Sequence, residues 1–214
     1  MKVCTCLNPL HTVLAVFGCL LGYDSISSEM QDKSLKAFIE KVGYVEGMPV
    51  VVDPKIINAE DFIKETIEVR FPNPFVPDTP QRIATDTSKK ISVRFGETMK
   101  AYIAEGKTDL SFLTFIPLML AGWVRYLMGV DDMGENFELS PDPNMQELSG
   151  YVEGISIGDG SEVIEKIKPL LSSKEYFGIN LYDHNIGEKV EDMFLELIRD
   201  KGAVKRTIDT YLAK

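Results

Sequence analysis

The sequence has few cysteines and histidines, the residues of disulfides and of most zinc sites. Its three cysteines, Cys4, Cys6 and Cys19, all lie within the first 19 residues. A C-x-C spacing forms neither a CxxC redox motif nor a zinc site without ligands from elsewhere. Only two histidines are present, His11 and His184. We therefore expect a reducing compartment, the cytoplasm, and no bound metal.

Nucleotide-binding motifs are also absent. No G-x-G-x-x-G follows a predicted strand, the glycines of GISIGDG at 154–160 are wrongly spaced, and no Walker loop occurs. The acidic stretch DDMGE lacks the alternating ligands and closing Glu of a calcium loop, so it is interpreted as a solvated acidic turn. We expect no nucleotide-binding fold in this chain.

Positive charge and long apolar runs are scarce as well. The chain has 23 basic and 33 acidic side chains, for a formal net charge of −10. This charge repels nucleic acid and anionic lipid surfaces. The longest uncharged runs, near 12–23 and 110–124, are shorter than the roughly 20 residues that span a bilayer. Nucleic acid and membranes are therefore not expected as partners.

The first residues, MKVCTCLNPLHTVLAVFGCLLGY, allow two interpretations. A Lys followed by an uncharged run, with Gly18-Cys19 resembling a cleavage site, is typical of an export signal. However, Asn8 and Pro9 interrupt that segment, and Phe17 is bulky for a position beside such a site. Asn is a preferred N-cap, and Pro is favoured at the first helical position. The pattern favours a core helix over 9–21.

The rest of the chain has mostly helical periodicity, and its 44% hydrophobic content is ample for a core. We expect Gly43 to end the second helix, Asn58 to cap the third and Pro117 to kink or break the fifth. The stretch 70–82 contains four prolines and predicts a rigid irregular loop. The polar, turn-rich segment 129–143 predicts a mobile loop. Residues 47–56 predict a short strand or an extended connector. The predicted fold class is all-α, with helices over 9–21, 29–42, 59–69, 88–105, 110–128, 161–171, 187–200 and 203–212.

Candidate chemistry lies at the start of the first predicted helix. Asn8 and His11 are three residues apart and so share one helix face, with Lys2 just before them. An amine, an amide and an imidazole together could remove a hydroxyl proton and stabilise the resulting oxyanion. The alternative is structural, namely a capping Asn, a half-buried His and a solvated Lys.

A second cluster follows the proline-rich stretch. Arg82 and Lys90 bracket a helix start that Asp86 or Thr87 could cap. Two cations near such a start could bind hydroxyl or carboxylate oxygens of a substrate. The alternative is a pair of surface cations balanced by neighbouring acidic residues.

Four segments resemble one family. They occur in order along nearly the whole chain: NPLHTVLAVFGCLLGY, GYVEGMPVV, RFPNPFVPDTPQRIATDTSKK with the following RFGET, and AGWVRYLMGVDD. They resemble the C-terminal helical domain of the polyol-specific long-chain dehydrogenases. That group includes mannitol 2-dehydrogenase, mannitol-1-phosphate 5-dehydrogenase and the fructuronate and tagaturonate reductases. The resemblance implies one mannitol dehydrogenase C-terminal domain over 1–214, with a fold like the helical domain of 6-phosphogluconate dehydrogenase-like enzymes.

The resemblance also implies roles for the two clusters. Lys2 matches the base that takes the hydroxyl proton while hydride leaves for NAD, although it lies one residue farther from the Asn than in the family. Asn8 matches the residue that holds the oxyanion, and His11 the one that orients the substrate. Arg82 and Lys90 match the cations that hold substrate oxygens.

The implied function is that of an NAD-dependent oxidoreductase acting on CH–OH groups. Its substrate would be a linear polyol, a keto-sugar or a keto-uronate, as in the conversion of mannitol to fructose or of mannonate to fructuronate. NAD(H) would be bound mainly by a nucleotide-binding domain that the chain is expected to lack, so the chain would be a fragment or split subunit needing that domain in trans. The alternative is a non-catalytic helical interaction module or remnant, whose apolar face would favour self-association.

Overall fold

The computed structural model describes residues 8–51 and 58–214. Lys2, Cys4, Cys6 and residues 52–56 of the stretch 47–56 therefore lie outside the described residues. Within the described ranges all regular elements are helices, and strand pairing is limited to one isolated bridge between Val130 and Asn136. The predicted all-α class is confirmed.

The α-helices are, in chain order, α1 Asn8–Leu20, α2 Ile26–Glu29, α3 Lys33–Glu40, α4 Ala59–Glu65, α5 Pro80–Ile83, α6 Thr87–Ile91, α7 Glu97–Ala104, α8 Phe115–Tyr126, α9 Met145–Val152, α10 Ile164–Leu171, α11 Lys174–Phe177, α12 Gly187–Ile198 and α13 Ala203–Leu212. Three π-helical segments, Lys41–Gly47, Thr66–Arg70 and Ser92–Gly96, directly follow α3, α4 and α6. Short 3-10 turns cover Met48–Val50, Ser161–Val163 and Leu181–His184.

The core is built on α1 and α8. Every residue of α1 after Asn8 is buried, as is every residue of α8. Gly122 allows the two helices to approach closely, because a Cβ at that position would lie 2.3 Å from Cζ of Phe17. Helix α12 packs along α8. The uncharged run near the start of the chain is therefore a core helix, as predicted.

The predictions for Gly43 and Pro117 have different outcomes. Gly43 does not end a helix, because helical geometry continues through it as the π-helical segment Lys41–Gly47. A Cβ at Gly43 would lie 3.3 Å from Leu10, so the glycine permits close packing on α1 instead. Pro117 lies in the first turn of α8, where the N–H that proline lacks has no intrahelical partner, so it does not kink the helix. The predicted helix over 110–128 is instead broken just before Pro117, since α8 begins only at Phe115.

The segment 129–143 is held by hydrogen bonds to neighbouring helices, and part of it is buried. The buried guanidinium of Arg125 donates hydrogen bonds to the carbonyls of Val130 at 2.6 Å and Asp131 at 2.9 Å. Asp132 is buried and accepts from the backbone N–H of Val204 at 2.8 Å, at the start of α13. The prediction of a solvated acidic turn is wrong at Asp132, and these contacts tie α8 to α13. The mobility of 129–143 stays a prediction.

The described residues contain no group of three His, Cys, Asp or Glu side chains that could hold a metal ion. Among the helices in 8–51 and 58–214, none has the length and apolar content needed to cross a membrane.

Candidate active site

The first turn of α1 holds the two candidate residues that sequence spacing places together. Asn8 begins the helix and is half-buried, while His11 is only 8% exposed. The His11 ring lies 5.1 Å from the ring of Phe71, centroid to centroid. Its Nε2 atom lies 3.6 Å from Oδ2 of Asp78. The imidazole is therefore held between α1 and the proline-rich stretch.

Arg82 meets the same carboxylate from the other side. Its Nη2 atom lies 3.2 Å from Oδ1 of Asp78, and its Nη1 donates to the carbonyl of Pro77 at 3.3 Å. The predicted irregular loop ends earlier than expected, because Pro80 opens the short helix α5 and Thr79 caps it by accepting from the N–H of Arg82. The side chain of Arg82 remains 63% exposed, so the guanidinium is accessible from solvent.

Lys90 lies on α6, and its Nζ donates to the carbonyl of Ile83 at 3.0 Å. The predicted cap of this helix is wrong. Asp86 adopts a left-handed conformation with φ of 56° and makes no side-chain cap. The carboxylate of Asp142 instead accepts from the N–H of Ser88 at 2.8 Å. The cap comes from a distant segment, so local sequence could not identify it.

Arg94 joins α1 to the π-helical segment Ser92–Gly96. Its Nη1 donates to the carbonyl of Asn8 at 3.0 Å and also forms a hydrogen bond with Oγ1 of Thr12. Sequence reasoning missed this residue, although it lies four positions after Lys90 and so shares a helix face with it. Phe71 and Asp78 were also missed, because their role depends on how the proline-rich stretch folds.

The charges around His11 are mainly positive. Burial lowers the pKa of His11 to about 4; Asp78 opposes this shift, and the charges of Arg94, Arg70 and Lys90 add to it. The imidazole is therefore neutral at pH 7. Burial also lowers the pKa of Lys90, and the nearby charge of Arg94 acts in the same direction. In a chain with net charge −10, this end of α1 is a local concentration of cations.

The structure thus brings Asn8, His11, Arg82 and Lys90 to one end of α1, together with Asp78. Lys2 lies outside the described residues. The other histidine, His184, has its Nδ1 at 2.8 Å from the carbonyl of Thr108 and is not part of this cluster. A neutral imidazole beside several cations can bind hydroxyl and carboxylate oxygens.

The residues that the structure describes do not form a dinucleotide site. The described ranges contain no strand leading into a glycine-rich helix start, which such a site requires. The GISIGDG stretch lies in turns before the 3-10 turn Ser161–Val163, and the N–H of Gly158 donates to the carbonyl of Ile198 at 2.7 Å. Gly158 has a positive φ of 98°, so this stretch is a turn that is hydrogen-bonded to the end of α12.

Comparison with known proteins gives consistent matches. Residues 1–198 match the family described as "Mannitol dehydrogenase C-terminal domain". The chain is 52% identical over its whole length to D-mannonate oxidoreductase of Thermotoga maritima, of which it covers 40%. It is 27% identical over 96% of its length to mannitol 2-dehydrogenase of Emericella nidulans, covering 38% of that protein.

Solved structures show the same fold. The mannitol 2-dehydrogenase of Pseudomonas fluorescens, solved as a ternary complex with NAD and D-mannitol, matches with a TM-score of 0.82 and 25% identity over the whole chain and 40% of that structure. The chain thus spans about two fifths of the length of these relatives. By sequence and fold, the chain belongs to the mannitol dehydrogenase C-terminal domain family.

Proposed function

We propose that this chain is the substrate-binding and proton-transfer part of an NAD-dependent oxidoreductase that interconverts mannonate and fructuronate. The observation that carries this proposal is the buried His11 imidazole, whose pKa is lowered by burial and by the positive charges of Arg94, Arg70 and Lys90. An aldonate carboxylate suits this local positive charge better than a neutral polyol does. The 52% identity to a D-mannonate oxidoreductase supports the same substrate.

Each residue of the site has a role that follows from its chemistry. Arg82 and Lys90 would hold substrate oxygens, as exposed and half-buried cations respectively. His11 is neutral at pH 7 and would orient the reacting hydroxyl, and the Asn8 amide would donate to the developing oxyanion. Lys2 would take the hydroxyl proton, which requires that neighbouring cations or burial lower its pKa towards neutrality.

The hydride acceptor would be the nicotinamide of NAD, held by a nucleotide-binding domain outside this chain. Apolar side chains beside the site support docking of that domain. Phe75, between the two loop residues that contact His11, is 92% exposed. Val69 and Val93, each adjacent to an arginine whose charge acts on His11, are 62% and 55% exposed. Apolar patches at the rim of a site are typical of domain interfaces.

The test is reconstitution. The chain is combined with the remaining part of the Thermotoga maritima D-mannonate oxidoreductase, and NAD reduction with mannonate is followed. We expect activity from the combination and none from the chain alone, because residues 8–51 and 58–214 form no dinucleotide site. Strong oxidation by the chain alone would refute the need for a second domain, and an inactive combination would refute the proposal.

Lys2→Ala tests the base in that combination. We expect turnover to fall by about 100-fold or more, since general-base catalysis contributes roughly that much. The control is Lys64→Ala, which removes an exposed lysine of α4 and should leave turnover unchanged. A loss of only a few-fold would mean that Lys2 is not the base.

A further inference from the structure

Asp78 lies between two candidate substrate ligands that come from different parts of the chain. Its Oδ2 atom faces Nε2 of His11 at 3.6 Å, and its Oδ1 faces Nη2 of Arg82 at 3.2 Å. The Asp78 side chain is only 13% exposed. One carboxylate therefore sets the relative position of the imidazole and the guanidinium.

The backbone around Asp78 is fixed at both of its polar groups. The carbonyl of Asp78 accepts from the N–H of Ile26 at 3.0 Å, at the start of α2, and its own N–H donates to the carbonyl of Val76 at 2.8 Å. Thr79, the next residue, caps α5. The carboxylate is therefore attached to a turn whose backbone is fixed by hydrogen bonds.

The contact to His11 is close to a hydrogen bond but not yet one. Nε2 of His11 is buried and has no hydrogen-bond partner among the described residues. A hydrogen bond between a ring N–H and a carboxylate needs about 2.7 to 2.9 Å. A movement of less than about 1 Å would complete it, and such contacts often tighten when a substrate binds.

We propose that Asp78 is a positioning residue that holds His11 in the tautomer with the proton on Nε2. Nδ1 is then unprotonated and can accept the hydrogen of a substrate hydroxyl. The same carboxylate holds Arg82 in place to bind another substrate oxygen. The assignment of substrate to these groups rests on the proposed function, whereas the tautomer does not.

The charges that act on His11 agree with this role. Arg94, Arg70 and Lys90 are cationic and disfavour a charged imidazole, and Asp78 is the anion that opposes them. A carboxylate can only accept a hydrogen bond, so the ring nitrogen facing it must carry the proton.

The test is the nitrogen-15 NMR spectrum of the histidine rings, which distinguishes the two tautomers. The chain has only two histidines, so His184→Gln assigns the signals. We expect His11 at pH 7 to be protonated on Nε2. In Asp78→Asn, Arg82 still requires the oxygen, which turns the amide NH2 towards His11 and shifts the proton to Nδ1. Asp78→Glu should restore Nε2–H, and the control Asp183→Asn should change nothing.

In the reconstituted enzyme, Asp78→Asn should raise the KM for mannonate about tenfold or more, and Asp78→Glu should recover part of that loss. Wild-type His11 protonated on Nδ1 would overturn the proposal even if Asp78→Asn failed to fold. An unchanged tautomer in a folded Asp78→Asn would also overturn it. If the wild-type combination is inactive while the tautomer is as expected, the proposed function fails and the positioning role stands.

Discussion

Asp78 and Glu46 are both largely buried carboxylates, but their partners differ in kind. Glu46 is 4% exposed and accepts from the backbone N–H groups of Thr114, Phe115 and Ile116, the last two at 2.9 and 2.6 Å. Asp78 faces two side chains, of Arg82 and His11, and the second lies beyond hydrogen-bond distance.

The difference in partners indicates that Glu46 has a structural role and Asp78 a role in the candidate site. The partners of Glu46 are the otherwise unpaired donors at the start of α8, so this carboxylate anchors a core helix. Burial raises the pKa of Glu46, and the backbone hydrogen bonds oppose that shift. The partners of Asp78 are ionisable side chains on separate helices, His11 on α1 and Arg82 on α5. The distance between Asp78 and His11 can still shorten to that of a hydrogen bond. We infer that a carboxylate whose hydrogen bonds all come from backbone N–H groups, such as Glu46, stabilises the fold. A carboxylate shared between two side chains, such as Asp78, instead positions the residues of a functional site.

The largest expected effect on stability is at Glu46. Glu46→Ala leaves three N–H donors without an acceptor, two of them buried, so we expect the free energy of unfolding to fall by about 4 kcal/mol. The matched control is Glu68→Ala, which removes an exposed glutamate and should change stability by less than about 0.5 kcal/mol. Urea denaturation measures both. A loss below about 1 kcal/mol for Glu46→Ala would show that the anchor is unimportant.

The second effect concerns pH at His11. The folded pKa of about 4 lies below the ordinary value of 6.5, so below pH 6.5 the unfolded chain binds the proton more readily. The wild type should therefore lose about 3 kcal/mol more than His11→Gln as the pH falls from 6.5 to 4. Urea denaturation at several pH values gives the difference, and His184→Gln should keep the wild-type loss. Equal slopes in wild type and His11→Gln would contradict the burial argument.

The smallest effects are at two glycines. Gly122→Ala should destabilise the protein by about 1 to 3 kcal/mol, since its Cβ would lie 2.3 Å from Phe17 in the core. Gly150 lies within α9, and a Cβ added there would meet no other atom within 4 Å, so Gly150→Ala should stabilise by about 0.5 to 1 kcal/mol. Thermal unfolding compares them. A Gly122→Ala variant as stable as the wild type would mean that α1 and α8 do not pack as closely as described.

Local signals predicted much of the fold. Asn8 and Pro9 mark the start of α1, Asn58 caps α4 by accepting from the N–H of Glu60, and α13 covers 203–212 as its pattern predicts. Local sequence patterns gave the wrong prediction where a residue far away in the chain forms the deciding contact. The cap of α6 comes from Asp142, and Gly43 is a packing contact on α1 and not a helix end.

The candidate site was predictable only in part. Short-range spacing placed Asn8 beside His11, and the family resemblance selected Arg82 and Lys90. The contact between Asp78 and His11 depends on a turn braced by α2, and no local pattern encodes it. The functional roles of these residues, and of Lys2, stay predictions until they are measured.

Binding of mannonate to the reconstituted protein tests the central claim most directly, with the nitrogen-15 signals of the two histidines as reporters. The account predicts that the His11 signals shift and saturate with mannonate, that those of His184 do not move, and that Arg82→Ala weakens the binding about tenfold or more. Signals of His11 that stay unchanged at saturating mannonate, while NAD reduction proceeds, would contradict it.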